Sequence, residues 1–433
     1  MSTVRLGPIP LVRGRLRVPG DKSIGHRALL LNAVAEGAAT VRGLPAGDDV
    51  HTTRSALVAL GIRIESAGED RVRVTGGGRE AWLAAGPVDC GNSGTTARLL
   101  MGILAPRASE PVTLTGDRSL SRRPMARVVE PLRRMGAAIE AAGREPDRLP
   151  LAITGRPLEG AIHRLPVASA QVKSALLLAG LAAEGETRVA EPMVSRDHSE
   201  RLLAAMGARI DRASGGVRLR PGRISAIDVD VPGDLSSAAP FLALAAAREG
   251  SEIVIEDVGL NPTRTGFLDL LRAFGAEVEA WVEANDPEPR GTLRVAGRGL
   301  KAIEVGPAAV PGAIDELPLV AVLATRAEGE TRISGAAELR VKESDRIAAI
   351  AAGLGRLGAE IETAPDGFTI HGPTRLDGAE LEAAGDHRIG MALAVAAALA
   401  ESPSALEGAQ WVAVSYPSFF EDLASLAEAR TPA

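Results

Sequence analysis

The sequence predicts an α/β protein of the α+β type, with two domains that each contain three copies of a strand–helix–strand–helix–strand–strand unit. Three observations carry this. The chain has 433 residues, more than the ~250–300 at which a single core splits. Helix-period segments alternate with short strand-like runs, and a Gly-Ala-x-Ile/Val signature follows one helix of each pair, as in Gly207-Ala208-Arg209-Ile210, Gly275-Ala276-Glu277-Val278 and Gly358-Ala359-Glu360-Ile361. Finally, Val18-Pro19-Gly20-Asp21 recurs as Val231-Pro232-Gly233-Asp234. Units that contain both strands and helices, and are longer than solenoid repeats, predict layers of sheet around buried helices.

The elements follow in order. Leu16-Arg17-Val18 reads as a strand broken by Pro19-Gly20, and the apolar stretch Ala28 to Val34 reads as a buried helix whose first turn carries Ser23 and Arg27. A short strand through Thr40-Val41-Arg42, a helix over about 50–60, and strands at 62–65 and 71–74 complete the first copy. The second copy has helices over 92–104 and 124–135, and the third over 169–183 and 197–206. After the second Val-Pro-Gly-Asp, helices are expected over 236–247, 263–274 and 345–357, with further first-helix copies near Asp315 and His387. That makes six copies of the first helix; the last second helix is reduced to 419–429. The expected domains are 21–232 and 233–433 joined by 1–20, with hinges near 18–21 and 231–234 and the N-terminal strand crossing into the second half.

Composition narrows the function. A net charge of −6 argues against general nucleic-acid binding, so basic clusters read as sites for small anions. One cysteine excludes a disulfide framework, and the six histidines show no metal spacing. The first residues lack a signal-peptide core, and the longest apolar run, Ile389 to Ala400, is too short and alanine-rich to span a bilayer. A soluble cytoplasmic protein is expected. Only Lys22, Lys173, Lys301 and Lys342 are lysine among 49 basic residues. A compact ammonium does chemistry a guanidinium cannot, so these lysines are candidates for roles; Lys301, in a loop-like stretch, reads as chance retention.

The first helices begin Lys22-Ser23, Asn92-Ser93-Gly94-Thr95, Ser169-Ala170-Gln171, Ser236-Ser237, Asp315-Glu316 and Asp386-His387-Arg388. Helix N-termini gathered in one cleft favour polyanionic ligands such as phosphates and carboxylates. Arg123, Arg196 and Arg346 stand at or before second-helix starts. No GxxxxGK[ST] is present, and Gly76-Gly77-Gly78 is only a turn signal. Arg340-Val341-Lys342-Glu343-Ser344-Asp345-Arg346 allows two readings: a solvated helix start with a Glu343–Arg346 pair, or a carboxylate held among cations as a general acid or base.

Taken together, PGDKSIGHRALLL at 19–31, CGNSGTTARLL at 90–100, GDRSLSRRPM at 116–125, ASAQVKSALLLAGL at 168–181, SRDHSERLL at 195–203, RVKESDRI at 340–347 and DHRIGMAL at 386–393 resemble the enolpyruvyl transferase family. The match is closest to the branch acting on shikimate 3-phosphate. The resemblance implies a two-domain inside-out barrel of six βαβαββ repeats, helices buried and sheets outside, closing on shikimate 3-phosphate and phosphoenolpyruvate. It implies no cofactor, no metal, no nucleic-acid or membrane partner, and a monomer. Lys22, Ser23, Arg27, Ser169, Gln171, Arg196, Asp315 and Lys342 would hold shikimate 3-phosphate. Lys22, Asn92, Gly94, Arg123, Gln171, Glu343, Arg346 and Arg388 would surround phosphoenolpyruvate. Asp315, Glu343 and Lys22 would be catalytic: base toward the 5-hydroxyl, proton donor to the methylene carbon, and aid to addition and phosphate departure.

The sequence departs from the family at three places. Val412 to Pro417 lacks a lysine that some members carry, Ala170 stands where others have serine, and Glu338 where some have asparagine. Two rival readings are a transferase acting on UDP-N-acetylglucosamine, which uses a mobile-loop cysteine, and a non-catalytic phosphate-metabolite binder. Cys90, just before Gly91-Asn92, is expected beside a helix start, and a binder gains nothing from Asp315 and Glu343. A related RNA 3′-phosphate cyclase is disfavoured by the acidic balance.

Overall fold

The computed structural model describes residues 2–77, 82–213 and 216–428. Gly78 of the triglycine turn and Ala429, where the last helix was expected to end, lie outside them. The chain divides into two compact units: an N unit, Lys22–Val231 with Asp286–Glu288, and a C unit, Met1–Asp21 with Pro232–Asn285 and Pro289–Ala433.

In the N unit the helices are α1 (Lys22–Val34), α2 (Asp48–Ala59), α3 (Gly94–Leu104), α4 (Ala126–Arg134), α5 (Ala170–Gly180) and α6 (His198–Ala205). α1, α3 and α5 are apolar nearly all round and form the interior. α4 instead buries Val128, Val129 and Leu132 along one face. Three four-stranded sheets surround them. Each has an opening strand parallel to the strand that follows the inner helix, with the next two antiparallel, as in Val88–Asp89, Val112–Thr115, Leu151–Thr154 and Ala138–Ala141. α3 and α5 touch backbone to backbone: a Cβ on Gly102 would lie 2.1 Å from the Ala175 carbonyl oxygen.

The C unit repeats the plan with α7 (Leu235–Ala246), α8 (Gly266–Phe274), the short α9 (Val310–Ala313), α10 (Leu317–Ala324), α11 (Arg346–Arg356), α12 (His387–Leu399) and α13 (Phe419–Glu428). Every residue of α7, α10 and α12 is buried. Each unit has its own apolar core: Ile24 to Val231 in the N unit, and Leu6 to Val18 with Leu235 to Leu426 in the C unit. Lys301, expected in a loop, lies in a two-residue strand paired with Ala327–Ile333.

The opening strands of the first and fourth repeats are exchanged. Arg13–Leu16 precedes α1 but pairs in parallel with Glu252–Gly259, the strand after α7. Val229–Asp230 precedes α7 but pairs in parallel with Ala38–Arg42, the strand after α1. The two Val-Pro-Gly-Asp copies mark these departures and bond to each other: the Asp21 N–H donates to the Pro232 carbonyl at 2.7 Å, and the Asp234 N–H to that of Pro19 at 2.8 Å. The return strand, two residues long, left no pattern to read in the sequence. Asp286–Glu288, in the connection between Glu277–Ala284 and Arg290–Ala296, groups with the N unit, where buried Glu288 bonds His198 Nδ1 at 2.8 Å.

Candidate active site

In the N unit the starts of the inner helices are joined by buried polar bonds. His26 Nδ1 lies 2.6 Å from Thr53 Oγ1 on α2, which lies 2.6 Å from Thr96 Oγ1 on α3, which donates to Ser93 Oγ at 2.8 Å. Ser93 caps α3 by accepting the Thr96 N–H, and Ser169 caps α5 by accepting that of Val172. Burial first, then the cations Lys22 and Arg27, pushes His26 down to about 3, against the opposing pull of Asp49. It is therefore a neutral hydrogen-bonding spacer that fixes the helix starts.

Around this frame stand the expected cations. Lys22 at the start of α1 pairs with Asp49 of α2 at 2.9 Å, and Ser23 follows it with its carbonyl accepting from Arg27 at 3.0 Å. Arg27 is buried and donates to Ser199 at 2.8 Å and Ser174 at 3.0 Å. Arg123 donates to Asn92, whose amide donates to Asp117 at 2.8 Å. Gln171 accepts from Arg98 at 2.6 Å and donates to Thr95 at 2.9 Å. Gly94 lies against two of these cations, since a Cβ there would come within 2.6 Å of Arg98 Nη1 and 3.6 Å of Arg123 Nη1. Ser169 and Arg196 are half-buried, Ser169 at the start of α5 and Arg196 ahead of α6.

In the C unit the expected acids meet on one arginine. Arg346, 2% exposed, donates to Asp386 at 2.8 Å, to Glu343 at 2.8 Å and to Asp315 at 3.2 Å. The Glu343–Arg346 pair is present, with Arg346 buried and Lys342, Glu343 and Asp345 half-exposed around it. Burial works against the charge of Arg346, yet Asp386, Glu343 and Asp315 outweigh it and hold its pKa above the ordinary guanidinium value. Burial likewise raises Asp386, but Arg346 outweighs it and the carboxyl ends below its usual range. Lys342 lies 3.9 Å from Asp315, and Arg264 approaches the other Asp315 oxygen at 3.9 Å. Asp315 is thus a half-buried carboxylate facing three cations. Arg264 is itself buried on Asp234, Ser236 and Glu316. Arg388 is held by a bond to the Ser236 carbonyl at 2.8 Å, while its N–H is capped by Asp386.

The family model described as EPSP synthase (3-phosphoshikimate 1-carboxyvinyltransferase) matches residues 7–423. The chain belongs to the EPSP synthase family. It is 51% identical over 98% of its length to a 3-phosphoshikimate 1-carboxyvinyltransferase of Anaeromyxobacter sp. (strain Fw109-5), covering 97% of that protein. It is 49% identical to one of Geobacter sulfurreducens, covering 97% of this chain and 98% of the other. Among solved structures, an EPSP synthase from Acinetobacter baumannii superposes with a TM-score of 0.87 at 40% identity over 98% of both chains. The enolpyruvyl transferase NikO from Streptomyces tendae, at 17% identity and a TM-score of 0.78 over 98% of this chain and 96% of that one, shares the fold.

Several polar residues of this EPSP synthase family member were missed in the sequence. Asp49, Arg98, Asp117 and Arg264 each bond an expected site residue; Glu316 and Asp386, named only as part of polar helix starts, bond Ser236 and Arg346. Arg98 had a signal, standing one turn after Gly94 on the same helix. Asp49 and Arg264 had none, because their partners are 27 and 51 residues away in sequence. Cys90 is fully buried, its carbonyl accepting the Ser93 N–H at 2.9 Å, and burial pushes the thiol up to about 12. Such a thiol is inert.

Proposed function

We propose that this chain works as its EPSP synthase relatives are named to, joining the enolpyruvyl group of phosphoenolpyruvate to the 5-hydroxyl of shikimate 3-phosphate and releasing phosphate. The observation that supports the residue roles is the convergence of Asp315, Glu343 and Asp386 on buried Arg346. One buried guanidinium thus holds both proposed acid–base groups at one place. Asp315 and Glu343 remain half-exposed and able to meet substrate.

In the addition, Asp315 takes the proton of the 5-hydroxyl as its oxygen bonds to the central carbon of phosphoenolpyruvate, and Glu343 gives a proton to the methylene carbon. A tetrahedral intermediate results. In the elimination, Glu343 recovers a proton from the new methyl group, the double bond re-forms and the C–O bond to phosphate breaks; the phosphate departs with the proton that Asp315 took up, Lys22 supplying charge to it. Arg123, Arg346 and Arg388, with Asn92, Gly94 and Gln171, position phosphoenolpyruvate. Ser23, Arg27, Ser169, Arg196 and Lys342 position shikimate 3-phosphate, Lys22 and Gln171 serving both. No step calls for a cofactor.

The test is phosphate release with phosphoenolpyruvate and each acceptor in turn. Release with shikimate 3-phosphate is expected. Release with UDP-N-acetylglucosamine alone would establish the sister activity, and binding of shikimate 3-phosphate without turnover would establish a non-catalytic binder. Inert Cys90 disfavours the sister activity. A monomer in the cytoplasm completes the reading; sedimentation checks the first. Among the described residues no helix is long and apolar enough to cross a membrane.

A further inference from the structure

Lys173 is the one lysine singled out by its rarity that neither the reaction nor chance retention accounts for. It lies on α5, one turn after Ser169, with its side chain 4% exposed. An ammonium has three N–H groups, and three acceptors meet it: Glu191 at 2.8 Å, Glu200 at 2.8 Å and the Ser195 carbonyl at 3.3 Å. Glu191 also accepts the Ser169 N–H at 2.9 Å and the Ser195 hydroxyl at 2.6 Å. One buried carboxylate therefore ties the first residue of the α5 start to the residue before Arg196. The neighbours of the pair, Ser174 and Ser199, hold Arg27.

Buried ion pairs are a weak source of stability, since desolvation costs several kcal/mol per ion and apolar replacements often do as well. Fixed geometry is what such a cluster supplies. We propose that Glu191, locked by Lys173, is a positioning residue that aligns Ser169 and Arg196 as one receptor for the acceptor's phosphate group. This rests on the assignment of those two residues to shikimate 3-phosphate. It also gives lysine a place in an arginine-rich chain: a compact ammonium carries three donors, and three acceptors meet it here.

The test is steady-state kinetics of Glu191→Gln, Glu191→Asp, Ser195→Ala and Ser169→Ala, with thermal unfolding of each. Glu191→Gln is expected to raise KM for shikimate 3-phosphate on the order of ten-fold or more, with kcat and the KM for phosphoenolpyruvate within about two-fold. Glu191→Asp recovers part of the loss, and Ser195→Ala shows a smaller rise in the same KM. A merely structural lesion would lower the folded fraction and affect both substrates alike. If Glu191→Gln does not fold, Ser195→Ala decides, and an unchanged KM overturns the proposal. If Ser169→Ala raises that KM while Glu191→Gln leaves it unchanged, the positioning role falls alone. If Ser169→Ala itself changes nothing, the placement of the phosphate falls, and the proposal with it.

Discussion

Asp315 and Glu343 owe their chemistry to being half-buried beside a guanidinium that three carboxylates share. Asp315→Asn and Glu343→Gln keep the shape and remove the proton-transfer group, so kcat is expected to fall roughly 10²–10⁴-fold in each. Single-turnover phosphate release checks this; a variant with full turnover would lose its assigned role. Gly94 makes a different kind of contribution. Adding a methyl group there drives a carbon to within 2.6 Å of Arg98 Nη1, which must shift from its place against Gln171. Gly94→Ala is therefore expected to raise the KM for phosphoenolpyruvate several-fold more than that for shikimate 3-phosphate, read from paired titrations of the two substrates. The cations at the helix starts were legible in the sequence because each sits in a short local motif. The carboxylates and the arginine that hold them were not, since Asp49 with Lys22 and Arg264 with Asp315 meet only after folding.

Each inner helix sets one of these starts, so helix packing controls the site. Where α3 meets α5, Gly102 leaves no room for a side chain. Gly102→Ala is expected to cost about 1–3 kcal/mol through overpacking, measured by chemical denaturation. The polar chain from His26 through Thr53 to Thr96 adds a pH dependence. His26 is held near 3 when folded against 6.5 when unfolded, so between these values the unfolded state binds the extra proton. Stability from this group is thus complete above pH 6.5 and is lost as pH falls toward 3. His26→Asn should flatten that slope, seen in denaturation midpoints from pH 7 to pH 4; an unchanged slope would refute the assignment. The helices were readable because all-apolar segments with polar starts are distinctive, as in α12. Their ends were less so: the helix read over 124–135 is α4, Ala126–Arg134, and the separate 3₁₀ turn before it, Leu120–Arg122, was not read.

At the scale of the molecule, the exchanged strands make the two units unequal. The N unit draws its core and its three sheets from residues 38–231 with α1, whereas the C unit needs Thr3–Leu6 and Arg13–Leu16 from the far end of the chain. A fragment of residues 22–231 is expected to unfold cooperatively in urea, and a fragment of residues 232–433 to remain unfolded until residues 1–21 are restored. A folded, cooperative 232–433 fragment would count against this account. The repeat was legible from Gly-Ala-x-Ile/Val, but the exchange lay in strands too short to carry a period. It also sets an order of events during synthesis. Thr3–Leu6 leaves the ribosome about 400 residues ahead of Ser404–Glu407, with which it pairs; at ~5–20 residues per second that is a wait of roughly 20–80 s. Through that interval the segment is an unpaired edge, and four residues with a charge at Arg5 are the short, charged kind of edge that resists pairing with the wrong neighbour.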